Sequence, residues 1–252
     1  MILKQFELKG KKALVTGGSY GLGKAFAEAL LEAGAMVGII DISKELPAAV
    51  KALKKSGPVI GIKADLSKRP ERKRAFQKFL KTFGTIDVLV NNAGIQRRHK
   101  AEEFPLADWD AVLELNLTAA FDFCQMAGKV MLKKGAGKII NIASLLSFSG
   151  GITVPAYSAS KGGIAQLTKA LANEWAGKGV NVNAIAPGYM DTPMNTALIA
   201  DRIRNRRILD RIPAGRWGKP DDLKGAIVFL ASSASDYVHG SIILVDGGFL
   251  GR

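Results

Sequence analysis

The sequence predicts an α/β fold: one doubly wound parallel sheet flanked by helices, a single domain over residues 1–252. Three observations carry this. Short β-rich runs alternate with longer helical patterns from one end of the chain to the other. The short runs are continuously apolar and not alternating, the pattern of strands buried on both faces. No internal repeat, low-complexity tract or Pro/Ser/Gly linker divides the 252 residues. Right-handed crossovers then place helices on both sides of the sheet.

Each element has its own signature. Lys11–Thr16 (K-K-A-L-V-T) reads as the first strand. Gly21–Ala33 is a helix, with Leu22, Phe26, Ala29, Leu30 and Ala33 at helical spacing. Met36–Asp41 is a strand, Lys44–Ser56 a helix and Val59–Ala64 a strand. Lys68–Phe83 carries Phe76, Phe79, Leu80 and Phe83 on one helical side, and the strand Ile86–Val90 leads into N-N-A-G. Asp108–Lys133 reads as one long helix. Gly137–Ala143 is a strand, Pro155–Ala176 a helix opened by proline, and Val180–Ala186 a strand. A helix over 219–231 and the strand Ser241–Val245 complete the series. Gly188–Gly218 breaks the rhythm. This proline-bearing stretch with a basic helical piece stands where a substrate lid belongs, after a strand end.

Composition narrows the function. Cys124 is the only cysteine, which excludes an intrachain disulfide and a thiolate-rich zinc site. Two histidines, His99 and His239, without H-E-x-x-H spacing argue against a metal site. No apolar run reaches the roughly 18 residues of a spanning helix, and no signal-peptide pattern opens the chain. The expectation is a cytoplasmic protein without a membrane partner. The formal charge of +14 suggests either nucleic acid or anionic small molecules. Two basic clusters stand out: Lys68, Arg69, Arg72, Lys73 and Arg74, and Arg202, Arg204, Arg206, Arg207 and Arg211. Neither interleaves aromatics suited to base stacking, so no nucleic-acid partner is expected.

The first strand ends in T-G-G-S-Y-G-L-G, Thr16–Gly23. Glycines between a strand and a helix let the backbone approach a pyrophosphate, and the helix start offers free N–H groups and a positive dipole end. Asp41 closes the second strand 20 residues after Gly21. A carboxylate there accepts hydrogen bonds from both ribose hydroxyls and repels a 2′-phosphate. Position 20 is Tyr, so no arginine stands there to neutralise that phosphate. NAD is expected over NADP.

Tyr157 and Lys161 are four residues apart, just after Pro155, and share a helix face. A carbonyl–alcohol redox step needs a proton donor beside the hydride path. A lysine cation about 5 Å away stabilises tyrosinate by roughly 3 kcal/mol at an effective dielectric near 20. This is expected to lower the tyrosine pKa by about 2 units. Ser144 follows a strand and precedes Tyr157 by 13 residues, and its hydroxyl suits polarising a substrate oxygen. Asn116 lies inside the apolar L-N-L of the long helix, where asparagine is locally unfavourable.

Taken in order, T-G-G-S-Y-G-L-G, Asp65-Leu66, Asn91–Gly94, Asn116, Ser144, Y-S-A-S-K at Tyr157–Lys161, Pro187-Gly188 and V-D-G-G at Val245–Gly248 resemble the short-chain dehydrogenase/reductases. The resemblance covers nearly the whole chain. It implies an NAD(P)-dependent oxidoreductase with a seven-stranded Rossmann sheet, commonly a homotetramer. It implies a catalytic tetrad of Asn116, Ser144, Tyr157 and Lys161, with Lys161 also holding the nicotinamide ribose and Asn116 fixing a relay water. The implied cofactor contacts begin in the glycine loop at Gly17, Ser19, Tyr20, Gly21, Leu22 and Gly23. They continue through Asp41, Asp65, Leu66, Asn92, Ala93 and Gly94 to Pro187, Gly188 and Thr192. Asp65 would stand beside adenine and Thr192 would meet the carboxamide.

Longer stretches (G-I-Q-R-R-H at Gly94–His99, A-S-L-L-S-F-S-G-G at Ala143–Gly151, N-E-W-A at Asn173–Ala176, A-P-G-Y-M at Ala186–Met190 and R-I-P-A-G-R-W-G at Arg211–Gly218) resemble one branch. That branch comprises 2-dehydro-3-deoxy-D-gluconate 5-dehydrogenases and 2-deoxy-D-gluconate 3-dehydrogenases, near gluconate 5-dehydrogenases. It implies oxidation of a secondary hydroxyl on a sugar acid, with 3-oxoacyl-carrier-protein reduction as the other enzymatic reading. Gln96, Arg97 and Arg98 directly follow N-N-A-G-I and emerge near the active end of the sheet. A guanidinium there pairs bidentately with a substrate carboxylate.

Overall fold

The computed structural model describes residues 2–251. Seven parallel strands stand in the order β3-β2-β1-β4-β5-β6-β7. They are β1 (Lys12–Thr16), β2 (Met36–Asp41), β3 (Val59–Lys63), β4 (Val88–Asn91), β5 (Gly137–Ile142), β6 (Val180–Pro187) and β7 (Ile242–Val245). The order reverses between β1 and β4, and at such a switch point the carboxyl ends of the strands open a crevice.

Successive strand residues face opposite helical layers. Ala13 and Val15 of β1 join the core under α1 (Gly21–Glu32), α2 (Leu46–Leu53) and α9 (Lys224–Ala231), whereas Leu14 joins the opposite core. That second core is closed by α3 (Arg69–Phe83), α5 (Ala119–Lys134) and α6 (Pro155–Trp175). Phe76 and Phe79 are buried in it, and Leu80 and Phe83 pack against its margin.

Three elements depart from expectation. The long helix expected over Asp108–Lys133 is interrupted: α4 (Leu106–Leu113) passes through a π turn, Glu114–Thr118, before α5. The N–H of Ala119 reaches back five residues to the carbonyl of Glu114. A π turn absorbs one extra residue, and Asn116 lies at its centre. Helix α2 is shorter than Lys44–Ser56 because the preceding chain is held in a turn. Ser43 N–H donates to Asp41 Oδ1 (2.9 Å) and Glu45 N–H to Ser43 Oγ (3.0 Å). Strand β7 is not buried on both faces; it pairs only with β6, and Leu244 is 44% exposed.

Between β6 and α9 lies the excursion Gly188–Gly218, which holds α7 (Thr196–Ala200) and α8 (Arg202–Leu209). Asp201 caps α8 by accepting from Ile203 and Arg204 N–H, 3.1 Å each. The excursion is stapled at its base. Asp191 N–H donates to the Gly218 carbonyl (2.7 Å) and Gly218 N–H to that of Tyr189 (2.9 Å). Trp217 Nε1 donates to Asn205 Oδ1 of α8 at 2.8 Å.

Candidate active site

The glycine loop joins β1 to α1. Its helix begins without a side-chain cap at Tyr20 and without an acid in the first turn, so its leading N–H groups keep their capacity to bind an anion. At Gly21 a Cβ would meet nothing nearer than Thr192 Cβ at 3.9 Å, so the backbone faces an open cradle. At Gly23 a Cβ would stand 2.0 Å from the Gly17 carbonyl oxygen, which makes that position glycine by sterics alone. Asn92 braces the loop: its Nδ2 donates to the carbonyls of Thr16 (2.9 Å) and Gly17 (3.0 Å). Thr16 Oγ1 returns the support by accepting from Asn92 and Ala93 N–H, 3.0 Å each.

A cleft of about 400 Å³ runs from this loop across the carboxyl ends of the strands. Its walls include Gly17, Tyr20–Gly23, Asn92–Arg97, Ser144, Tyr157, Lys161, Pro187, Gly188 and Thr192. The ends of the neighbouring strands continue it. Asp41 is buried and accepts from Ser19 N–H and Ser43 N–H, 2.9 Å each. Each carboxylate oxygen has a second acceptor site, so ribose hydroxyls still find partners. The Ser19 hydroxyl is buried and has no partner among the described residues. An uncapped helix start, an open glycine cradle and this orphaned hydroxyl fit a dinucleotide. Asp65 accepts from Ser67 N–H (3.0 Å) and Oγ (2.7 Å), which holds its carboxyl below the usual range. Leu66 is a buried core residue whose carbonyl accepts from Arg72 Nη1 at 2.9 Å. Ser19, Asp41, Asp65 and Leu66 are not among the residues enclosing the cleft itself.

The cleft meets a second cavity, of about 590 Å³, at Ser144 and Tyr157. Ser144 Oγ accepts the Leu146 N–H at 3.1 Å, which occupies a lone pair and leaves the hydroxyl proton for an outward acceptor. Tyr157 bonds to the Ser144 side chain. Lys161 is buried; its Nζ lies 5.6 Å from the centre of the Tyr157 ring and donates to the Ile142 carbonyl at 2.6 Å. Two of its three N–H groups remain for other acceptors. Burial, uncompensated by any carboxylate, pushes Lys161 down to about 8. Ser147 ties the group together by donating to the Lys161 carbonyl at 2.7 Å and accepting Ser144 N–H at 3.3 Å.

The expected depression of the tyrosine pKa is not what the structure shows. Burial raises Tyr157 above its ordinary value; the Ser144 hydrogen bond and the Arg98 charge oppose that rise but do not overcome it. The simple Coulomb argument omitted the desolvation of the phenolate. At neutral pH Tyr157 is therefore a protonated donor.

Asn116 is buried with its amide fully engaged. Oδ1 accepts Ile95 N–H (2.8 Å), and Nδ2 donates to the Ile95 carbonyl (3.0 Å) and to Ser160 Oγ (3.1 Å). The π turn thus presents an asparagine that clamps the segment after Gly94 against α6. The two arginines that follow part company. Arg97 stands on the dinucleotide side and pairs with Asp108 at 3.5 Å. Arg98 lines the larger cavity, with Nη2 bonded to Gln96 Oε1 at 2.8 Å. Gln96 borders both cavities.

The opposite wall of the larger cavity is basic. Arg204, Arg207 and Arg211 line it, from α8 and the residues just after it. The sequence marked these residues as a basic cluster within the lid stretch, and their i, i+3, i+7 spacing places them on one helical face. Ser147 was not singled out, and nothing in its local sequence marks it.

A family model described as "Enoyl-(Acyl carrier protein) reductase" matches residues 17–250. The 2-dehydro-3-deoxy-D-gluconate 5-dehydrogenase of Bacillus subtilis (strain 168) is 52% identical over 98% of this chain and 97% of its own. The chain belongs to the short-chain dehydrogenase/reductase family. Another relative, the 2-dehydro-3-deoxy-D-gluconate 5-dehydrogenase of Escherichia coli (strain K12), is 50% identical over the full length of both chains. Among solved structures, a chain from Agrobacterium tumefaciens described as a 2-deoxy-D-gluconate 3-dehydrogenase with bound NADP superposes with a TM-score of 0.92. It is 50% identical and is matched over 98% of this chain and 99% of that one.

Proposed function

We propose that this family member interconverts a secondary alcohol and a ketone on a sugar acid of the 2-dehydro-3-deoxy-D-gluconate type. The observation that carries this reading is a cavity walled by arginines that opens onto Ser144 and Tyr157 beside a dinucleotide cleft. The names of the relatives support the same substrate class. A gluconate 5-dehydrogenase is the neighbouring alternative. The four arginines of the larger cavity favour a small anionic substrate over an acyl chain, although Leu145, Leu146, Ile152, Val154 and Phe249 also line it. The basic residues also have uses other than nucleic acid. Arg72 is buried, Arg69 pairs with Asp122 at 3.3 Å, and Lys68 pairs with Asp65 at 3.4 Å.

A pyridine nucleotide bound in the cleft would supply or accept the hydride. Tyr157 gives its hydroxyl proton to the substrate oxygen during reduction and takes it back during oxidation. Ser144, bonded to Tyr157 before the substrate arrives, donates its O–H to the same oxygen. Lys161 directs its remaining N–H groups toward the ribose side, and Asn116 fixes the chain that carries Gln96 and Arg98. The tetrad and cofactor roles of these residues belong to the proposal, as does a lid function for Gly188–Gly218. Homotetrameric assembly and a cytoplasmic location are part of it on family resemblance alone. No helix among the described residues is long and apolar enough to cross a membrane.

NAD is the proposed preferred dinucleotide, although the Agrobacterium relative binds NADP. Asp41 supports NAD: it is buried at the end of β2, and no lysine or arginine among the described residues pairs with it. Asp41→Ala is expected to raise the kcat/KM ratio of NADP over NAD by about 10-fold or more, because a nearby like charge at an effective dielectric near 20 costs more than 1.4 kcal/mol. The substitution also frees the Ser19 and Ser43 N–H groups to meet a phosphate. A wild-type protein that already favours NADP refutes the ribose-hydroxyl argument.

A further inference from the structure

The two walls of the larger cavity differ in kind. Arg98 stands on the strand side, on a segment fixed by Asn116 and by the His99 N–H bond to the Thr153 carbonyl at 3.1 Å. Arg204 and Arg207 face the cavity from α8, on the excursion. Among the described residues no carboxylate lies within salt-bridge distance of Arg98, Arg204 or Arg207, unlike Arg97, which has Asp108. Arg211 is occupied differently, with its guanidinium 4.3 Å over the ring of Phe249. Among the described residues lining this cavity the acid is Asp210, which lies 4.0 Å from Arg206. Burial, and after it the like charge of Arg204, lowers the pKa of Arg98. Like charges facing one another across a cavity are relieved by an anion between them, and planar guanidinium forks match a carboxylate.

Resting on the sugar-acid reading above, we infer that the substrate carboxylate is read from two sides, by Arg98 on the segment after β4 and by Arg204 and Arg207 on α8. The two α8 arginines are then specificity-determining residues. An acid oxidised at the carbon remote from its carboxylate suits this arrangement: its hydroxyl lies at Tyr157 while its charged end reaches across the cavity. Arg97, engaged with Asp108 on the dinucleotide side, has no part in it.

The test uses the full chain and compares 2-dehydro-3-deoxy-D-gluconate with its primary amide, which keeps the shape and lacks the charge. Arg98→Gln is expected to raise KM for the acid by about 10- to 100-fold, as for a lost charged hydrogen bond. Arg204→Gln and Arg207→Gln, which are solvent-exposed, are each expected to raise it by about 5- to 20-fold. In all three, kcat/KM for the amide and the dissociation constant of the reduced dinucleotide stay within about 2-fold, because neither depends on the removed charge. Arg97→Gln leaves the preference for the acid over the amide at the wild-type value, whatever it does on the dinucleotide side. The double variant Arg98→Gln/Arg204→Gln loses less than the product of the single losses, as expected for residues sharing one partner. Raising the salt concentration raises KM for the acid in the wild type more than in Arg204→Gln. Undiminished preference for the acid in both α8 variants, together with its loss in Arg98→Gln, overturns the two-sided reading. A wild type that treats acid and amide alike overturns the sugar-acid reading itself.

Discussion

Tyr157→Phe is expected to lower kcat/KM by about 10²–10⁴-fold in both directions, the usual contribution of an essential acid–base group. The substitution removes one oxygen and leaves the ring that packs near Lys161. Affinity for the reduced dinucleotide should therefore change by less than about 2-fold, since the ring is retained. The pH dependence carries a second signature. Burial raises Tyr157 above the ordinary tyrosine value, so the phenol is protonated across the neutral range. Wild-type kcat/KM for reduction should hold at neutral pH and fall as pH climbs toward that raised value. For oxidation it should rise over the same interval, because the base must first lose its proton. The residual activity of Tyr157→Phe should lack both limbs. A variant within about 10-fold of wild type, or one that keeps the limbs, assigns the proton to another group.

The second large effect is on stability. Arg72 is 1% exposed and holds three partners from two directions: the Leu66 carbonyl (2.9 Å), Glu114 (2.6 Å) and Asp122 (2.9 Å). Glu114 opens the π turn that presents Asn116, so this guanidinium fixes α3 against the helix that shapes the site. Removing one partner of a buried ion pair strands the other charge, at a cost of about 3–5 kcal/mol. Arg72→Met should therefore lower Tm by roughly 6–20 °C for a chain of this length. Replacing Asp122 by Leu in the same chain should recover much of the loss, because a buried pair exchanged whole for apolar groups is often neutral. Thermal unfolding of the single and double variants measures both effects. A loss below about 1 kcal/mol in Arg72→Met would mean that water already reaches these charges.

Arg72 also shows where reading the sequence stops short. In the sequence it is one of five basic residues between Lys68 and Arg74, and such a run normally marks a solvated helix face. Its burial depends on Asp122, 50 residues away, which no local pattern connects to it. Asn116 is the converse. A polar residue within L-N-L signalled something unusual, but the π turn and the Ile95 clamp arise only when the long helix meets the segment after β4. The strands were legible because burial on two faces leaves a continuous apolar run. β7 misled because an edge strand carries the same run. Ser144, Tyr157 and Lys161 came together because Tyr157 and Lys161 lie one turn apart on α6, and Ser144 follows β5 beside them, whereas Asn116 bonds to Ile95 and Ser160. Gln96, Arg97 and Arg98 fell in the right segment. Which of the two arginines faces the larger cavity depends on Asp108, which turns Arg97 the other way.

The most direct test of the account is the rate at which the purified protein reduces NAD when given 2-dehydro-3-deoxy-D-gluconate and, separately, its primary amide. The account predicts substrate-dependent reduction with kcat/KM for the acid at least about 10-fold above that for the amide, the effect of one charged contact. Absence of turnover with the acid, or equal rates with acid and amide, contradicts it.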